Sequence, residues 1–171
     1  MGFAGFFPLY SEGARNTPID VNLIIDGSEA FSEVSKEASA WISDTLIDRL
    51  LATGDKITVW SAGGAARVVY SETIKSDMDR ENVKKILRGL SPGGNSADFS
   101  GALREASSKP QFSGISYTLL ISSSASLSST LQGPQANLMR FSRIEEFRGW
   151  RALTVGLNID SKVRKAAASF M

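Results

Sequence analysis

The sequence predicts an α/β fold, a three-layer sandwich with helices on both faces of a mainly parallel sheet. Three observations carry this. The stretch Ile19-Asp20-Val21-Asn22-Leu23-Ile24-Ile25 is an apolar run that stops at Asp26-Gly27-Ser28, the pattern of a strand buried on both faces. Short runs of this kind then alternate with segments of helical period along the chain. Finally, Gly63-Gly64 joins two such runs so tightly that the second must fold back antiparallel, which puts it at the sheet edge.

The elements follow in order. Residues 1–18 form an N-terminal arm with Phe3, Phe6 and Phe7, ending in a polar loop with Gly13, Asn16 and Pro18. The single domain spans 19–171. From 31 to 51 the apolar residues Phe31, Val34, Ala38, Trp41, Ile42, Leu46 and Leu50 recur at helical spacing, and Gly54-Asp55 ends the run. Residues 56–61 make the second strand, parallel to the first through a right-handed crossover, and 66–71 the antiparallel edge strand. Residues 79–90 read as an amphipathic helix with Val83, Ile86, Leu87 and Leu90 inward. A loop, 91–96, leads to a short helix from 98 to 109. A buried strand at 116–122 precedes a serine-rich loop, 122–132. A helix at 135–147, a strand at 152–157 and a helix at 161–170 complete the chain.

Composition excludes more than it assigns. The chain has no cysteine and no histidine, so it holds no disulfide, thiolate site or cysteine nucleophile, and lacks the commonest general base and transition-metal ligand. Nineteen basic against eighteen acidic residues, with no basic run, argue against a nucleic-acid partner. No stretch approaches the roughly 20 apolar residues of a membrane span. The apolar start, 1–9, lacks a basic segment before it and is read as an arm or as the trimmed end of an exported precursor, periplasmic or extracellular.

Four places resemble the von Willebrand factor A family: the strand ending Ile24-Ile25-Asp26-Gly27-Ser28, the entry Gly54-Asp55-Lys56-Ile57-Thr58-Val59, the run from Pro92-Gly93-Gly94 to Gly101-Ala102-Leu103, and Leu119-Leu120-Ile121-Ser122. The resemblance implies a Rossmann-like sheet of order 3-2-1-4-5 with strand 3 antiparallel. It also implies a site at the top of the sheet, the metal-ion-dependent adhesion site, where Asp-x-Ser-x-Ser, a threonine and an aspartate offer oxygens to Mg2+ or Mn2+. In that family a protein partner supplies the last ligand as a carboxylate.

The chain departs from this pattern in each loop. Asp26 and Ser28 match, but the second serine position is Ala30. The threonine falls on Ser96 or on Ala97, depending on which end of the motif is counted, and the aspartate is replaced by Ser123. One carboxylate then stands where a full site has two, which weakens the attraction that offsets stripping water from an ion. Glu29 takes the solvent-pointing position, and Asp98 reads as a helix N-cap.

The sequence therefore predicts a non-catalytic protein-interaction module with a degenerate metal site and no cofactor. Its binding surface is formed by Asp26, Ser28, Glu29, Asn95, Ser96, Asp98 and Ser123, with Phe31, Phe99 and the loop 123–132 as further candidates. The alternative is a Mg2+- or Mn2+-dependent adhesion domain using Asp26, Ser28 and Ser96, with Asp98 through a water. A third reading is a small-molecule or catalytic α/β domain in which Pro92-Gly93-Gly94-Asn95-Ser96 cradles an anion. Trp41 and Trp60 are expected in the core; Trp150 either covers the end of the sheet or is an exposed binding hot spot.

Overall fold

A computed structural model of the chain describes residues 17–109, 115–126 and 142–155. The expected arm, the closing helix at 161–170 and most of the loop 122–132 lie outside these residues. The first strand, β1 (Ile19–Asp26), is buried at every position. It lies between β2 (Lys56–Ala62) and β4 (Ile115–Ser123), parallel to both. β3 (Ala66–Thr73) pairs antiparallel with β2 and ends the sheet. A strand covered on both faces is rich in apolar residues, and the run of Val21, Leu23, Ile24 and Ile25 is why β1 could be read from the sequence, although Asp20, Asn22 and Asp26 are buried with it.

Helices cover both faces, as anticipated. On one side Val21, Leu23 and Ile25 of β1 pack with Ile57, Val59, Leu119 and Ile121 against α1 (Ser35–Trp41), its continuation, and α2 (Asp77–Gly89). On the other, Ile24, Trp60, Ala62 and Leu120 meet Phe99, Ala102, Leu103 and Ala106 of α3 (Phe99–Ser108). At roughly 25 cal/mol per Å2 of apolar surface, these two layers supply the main stabilisation.

The helix expected over 31–51 is instead three segments: a single 3-10 turn (Glu29–Phe31), α1, and a widened π-type stretch (Ile42–Ile47). Within it Asp48 N donates to Ser43 O at 3.0 Å and Leu51 N to Leu46 O at 3.0 Å, both five residues back. The extra residue per turn rotates Ile47 and Leu51 into the core and leaves Leu50 half-buried.

The far side of the sheet differs more. Residues expected in a helix at 135–147 include β5 (Ser142–Glu146), and the expected strand at 152–157 is β6 (Trp150–Val155). β6 runs antiparallel to both β4 and β5, so the sheet is mixed, with six strands in the order β3-β2-β1-β4-β6-β5. The five anticipated strands keep their 3-2-1-4-5 order, and β5 is added outside. Direction reverses because only three residues separate β5 from β6, with Gly149 at φ 84°, too short for a crossover to a parallel strand.

Candidate functional site

The upper end of the sheet is assembled by close backbone approach. Gly27, directly after β1, donates to Ala62 O at 2.9 Å, and its own carbonyl accepts from the N–H groups of Gly93 and Gly94, both at 3.0 Å. Glu29 N then donates to Gly94 O at 2.8 Å. A Cβ on Gly27 would lie 2.8 Å from Gly63 N and 2.9 Å from its Cα, so only glycine lets the end of β1 meet the β2–β3 turn. The glycines at 27, 63, 93 and 94 thus fasten three loops to one point.

Asp26 sits in the middle, 1% exposed. Its Oδ1 accepts from Ser28 N at 2.8 Å and its Oδ2 from Ser122 Oγ at 2.7 Å. The carboxylate therefore bridges the first loop to the end of β4, through charge-assisted hydrogen bonds shielded from water. Ser122 was not anticipated as a site residue. The register explains its place: Ile121 pairs with Ile25, so the next residue stands beside Asp26.

The remaining candidates divide. Ser28 is buried and its Oγ has no hydrogen-bond partner among the described residues. The buried Ser123 Oγ bonds Ser126 Oγ at 3.0 Å and accepts from Ser126 N at 3.2 Å, capping the turn that follows β4. Asp98 is the N-cap of α3: Oδ1 accepts from Gly101 N at 2.8 Å and Oδ2 from Ala66 N at 3.3 Å, while its own N–H donates to Gly63 O at 2.9 Å. Glu29, Asn95 and Ser96 are exposed. The parallel strand-like bridge between Ser28 and Gly94 sets the next residues, Glu29 and Asn95, beside each other.

Further expectations are changed or decided. Phe31 and Phe99, proposed as partner-facing, are 1% and 2% exposed because each is the anchor of its helical layer. Trp150 is fully buried, stacked on Phe147 with centroids 3.9 Å apart and planes 5° from parallel, and edge-on to Trp41 at 5.8 Å. It covers the end of the sheet and offers no surface. In the glycine loop the N–H groups of Gly93 and Gly94 are already donated to Gly27 O.

The donor set offers fewer side-chain oxygens than the expected divalent-cation site. Ala30 offers no side-chain oxygen, Ser123 is turned onto Ser126, and both oxygens of Asp26 already accept hydrogen bonds. Among the described residues no three acidic side chains gather where an ion could sit. At the opposite end of the sheet, Gly54-Asp55 has a structural role: Gly54 takes φ 96°, and the Asp55 carboxylate accepts from Ile19 N at 2.9 Å and Ala52 N at 2.7 Å.

Comparison with known proteins adds the following. No family model matches the chain. A protein of Treponema pallidum (strain Nichols), itself described as uncharacterized, is 29% identical over 93 residues, or 53% of this chain and 42% of its own length. The chain thus matches less than half of that relative. Among solved structures it is similar to a von Willebrand factor type A structure from Catenulispora acidiphila, at 22% identity and TM-score 0.43 over 53% of this chain and 22% of that one. It is similar to the conserved hypothetical protein BatB from Bacteroides thetaiotaomicron, at 22% identity and TM-score 0.45 over 57% of this chain and 49% of that one. A third is the vWF domain of the type V pili tip protein Mfa5 from Porphyromonas gingivalis, at 19% identity and TM-score 0.39 over 54% of this chain and 32% of that one. The solved structures it is similar to thus include von Willebrand factor A-type domains.

Proposed function

We propose that this chain is a non-catalytic protein-interaction module of von Willebrand factor A type, which binds its partner at the upper loops without a divalent cation. The observation that carries the reading is the state of Asp26. The carboxylate that would anchor an ion instead accepts one hydrogen bond on each oxygen, from Ser28 N and Ser122 Oγ, which holds the loops in place and leaves Glu29, Asn95 and Ser96 as the groups facing a partner. The absence of histidine and cysteine from the whole chain supports a non-catalytic role. The reading includes an exported location, which the lack of cysteine neither favours nor opposes; among the described residues no helix is long and apolar enough to cross a membrane.

One observation favours a second reading. Ser28 Oγ is buried and unpartnered, and a buried hydroxyl without a partner costs about 1–3 kcal/mol. A Mg2+ or Mn2+ ion held by Asp26, Ser28 and Ser96 would supply that partner. Thermal melts in EDTA and with millimolar Mg2+, Mn2+ or Ca2+ separate the two: binding stabilises the folded state by mass action. An unchanged melting temperature with every ion is expected. A rise of several degrees with one ion would replace the metal-free reading with the second.

A further inference from the structure

Among the described residues no strand pairs with the outer edge of β3, which ends the sheet, and of its backbone groups the N–H of Ala66 is taken by Asp98 Oδ2. A free edge presents unpaired backbone N–H and C=O groups that can template another strand, and proteins usually blunt it with lysine, proline or a bulge. The segment Ala66-Arg67-Val68-Val69-Tyr70-Ser71-Glu72-Thr73 contains neither lysine nor proline. Arg67, Val68, Ser71 and Glu72 are exposed, Val68 at 45%.

It does contain a bulge, and the bulge sets which side chains share a face. Ser71 pairs with Thr58 and Tyr70 with Val59, but Trp60 pairs with Val68, leaving Val69 as an extra residue. Val69 and Tyr70 both pack toward the α1/α2 layer, whereas Ala66 packs toward α3. Counting outward from the bulge, Arg67 and Glu72 lie on the α1/α2 face, and Ala66, Val68, Ser71 and Thr73 on the α3 face. Without the bulge, Arg67 and Glu72 would point to opposite faces.

Residues directly opposite in an antiparallel pair share a face. Consider a two-fold axis normal to the sheet beside the Val69–Tyr70 peptide. It sets Arg67 opposite Glu72 of a second copy, Val68 opposite Ser71 and Ala66 opposite Thr73, each pair on one face and each occurring twice. Neither Arg67 nor Glu72 has an ion-pair partner within its own chain among the described residues. The strand is complementary to itself in charge as well as in facing, and only the bulge makes the two agree.

We infer that β3 is a homodimerisation edge, at which two copies pair antiparallel about Val69–Tyr70 and close the joint with two Arg67–Glu72 ion pairs. The contact is isologous and therefore closes at two copies without propagating. It joins two six-stranded sheets into one and leaves the upper loops of both copies free.

Sedimentation of the whole chain tests this between about 1 μM and about 1 mM, the span in which a small interface associates. A reversible dimer that weakens with salt is expected. Arg67→Glu alone sets four acids at the joint, and Glu72→Arg alone four bases. Each should weaken dimerisation at least about tenfold, which equals ~1.4 kcal/mol. An equimolar mixture of the two single variants, and the double variant R67E/E72R, should both recover the dimer. In the unsubstituted chain, amide exchange over 66–73 should slow as concentration rises, a readout that requires no variant. A monomer throughout the range, a dimer indifferent to both single charge reversals, or single variants that stay apart when mixed would overturn the inference.

Discussion

Asp26 and Ser122 should behave as one energetic unit. Ser122→Ala removes the hydroxyl that reaches Asp26 Oδ2 at 2.7 Å, in a place where the carboxylate is 1% exposed and water cannot substitute. A hydrogen bond to a buried charge is worth about 1.5–3 kcal/mol, and that is the expected loss. Asp26→Ala also orphans Ser28 N, which donates to Oδ1 at 2.8 Å, and should cost about 3–5 kcal/mol. For a chain of this length 1 kcal/mol moves the melting temperature by about 2–4 °C, so S122A should melt about 3–12 °C lower. The assay is urea denaturation at neutral pH of the wild type, both single variants and the double variant, each in EDTA and in Mg2+. The cycle should return a coupling of about 1.5–3 kcal/mol, equal in the two buffers. Coupling below about 0.5 kcal/mol would refute the clasp. A coupling that appears only in Mg2+ would show that the ion, and not the hydroxyl, satisfies Asp26.

Other substitutions probe neighbouring features. Gly27→Ala places a Cβ 2.8 Å from Gly63 N, and because both neighbours are backbone the top of the sheet must spread; a loss of about 1–3 kcal/mol in denaturant is expected. Phe147→Ala removes the ring stacked on Trp150 at 3.9 Å and should cost at least about 0.5–1.5 kcal/mol, with a changed tryptophan emission spectrum as the second readout. Burial raises the carboxyl of Asp20 above its ordinary 3.8, with Lys56 and Lys109 pulling the other way, and its Oδ1 has no hydrogen-bond partner. A raised acid favours the folded state while protonated, below pH 3.8, and that contribution is lost as pH rises through the folded value. Asp20→Asn should therefore melt higher than the wild type at pH 7, with the difference vanishing below about pH 3.8. A lower melting temperature at pH 7 would mean that the two lysines outweigh desolvation.

Where the sequence carried the fold, it did so through burial. β1 announces itself because a strand covered on both faces has almost no freedom in composition, and β3 because two glycines leave its chain no room to cross over. Asp98 was readable as a cap because a short acid before a helix has one common use. The segment 142–146, Ser-Arg-Ile-Glu-Glu, misled for the opposite reason: arginine and glutamate favour helices, and pairing with β6, which no local preference records, overrode them. At the site, the departures at Ala30 and Ser123 were visible as residue types, but the hydrogen bond that fastens Asp26 to the end of β4 was not. That depended on Ser122, which looked like the last residue of a strand. Phe31 and Phe99 were placed at the surface because their loops are there, though each ring turns inward.

The hydrogen bond from Ser122 to Asp26 spans 96 residues of chain, and β1 pairs with β4 from Ile19 to Ile25. During synthesis the most apolar strand of the protein therefore waits for its second neighbour. At about 5–20 residues per second, that wait is roughly 5–20 s, during which Val21–Ile25 has a partner on one side at most. Such long-range closure is slow even in the released chain. The hazard for this protein thus lies in the nascent polypeptide, where any chaperone that recognises an extended aliphatic run would find β1 first.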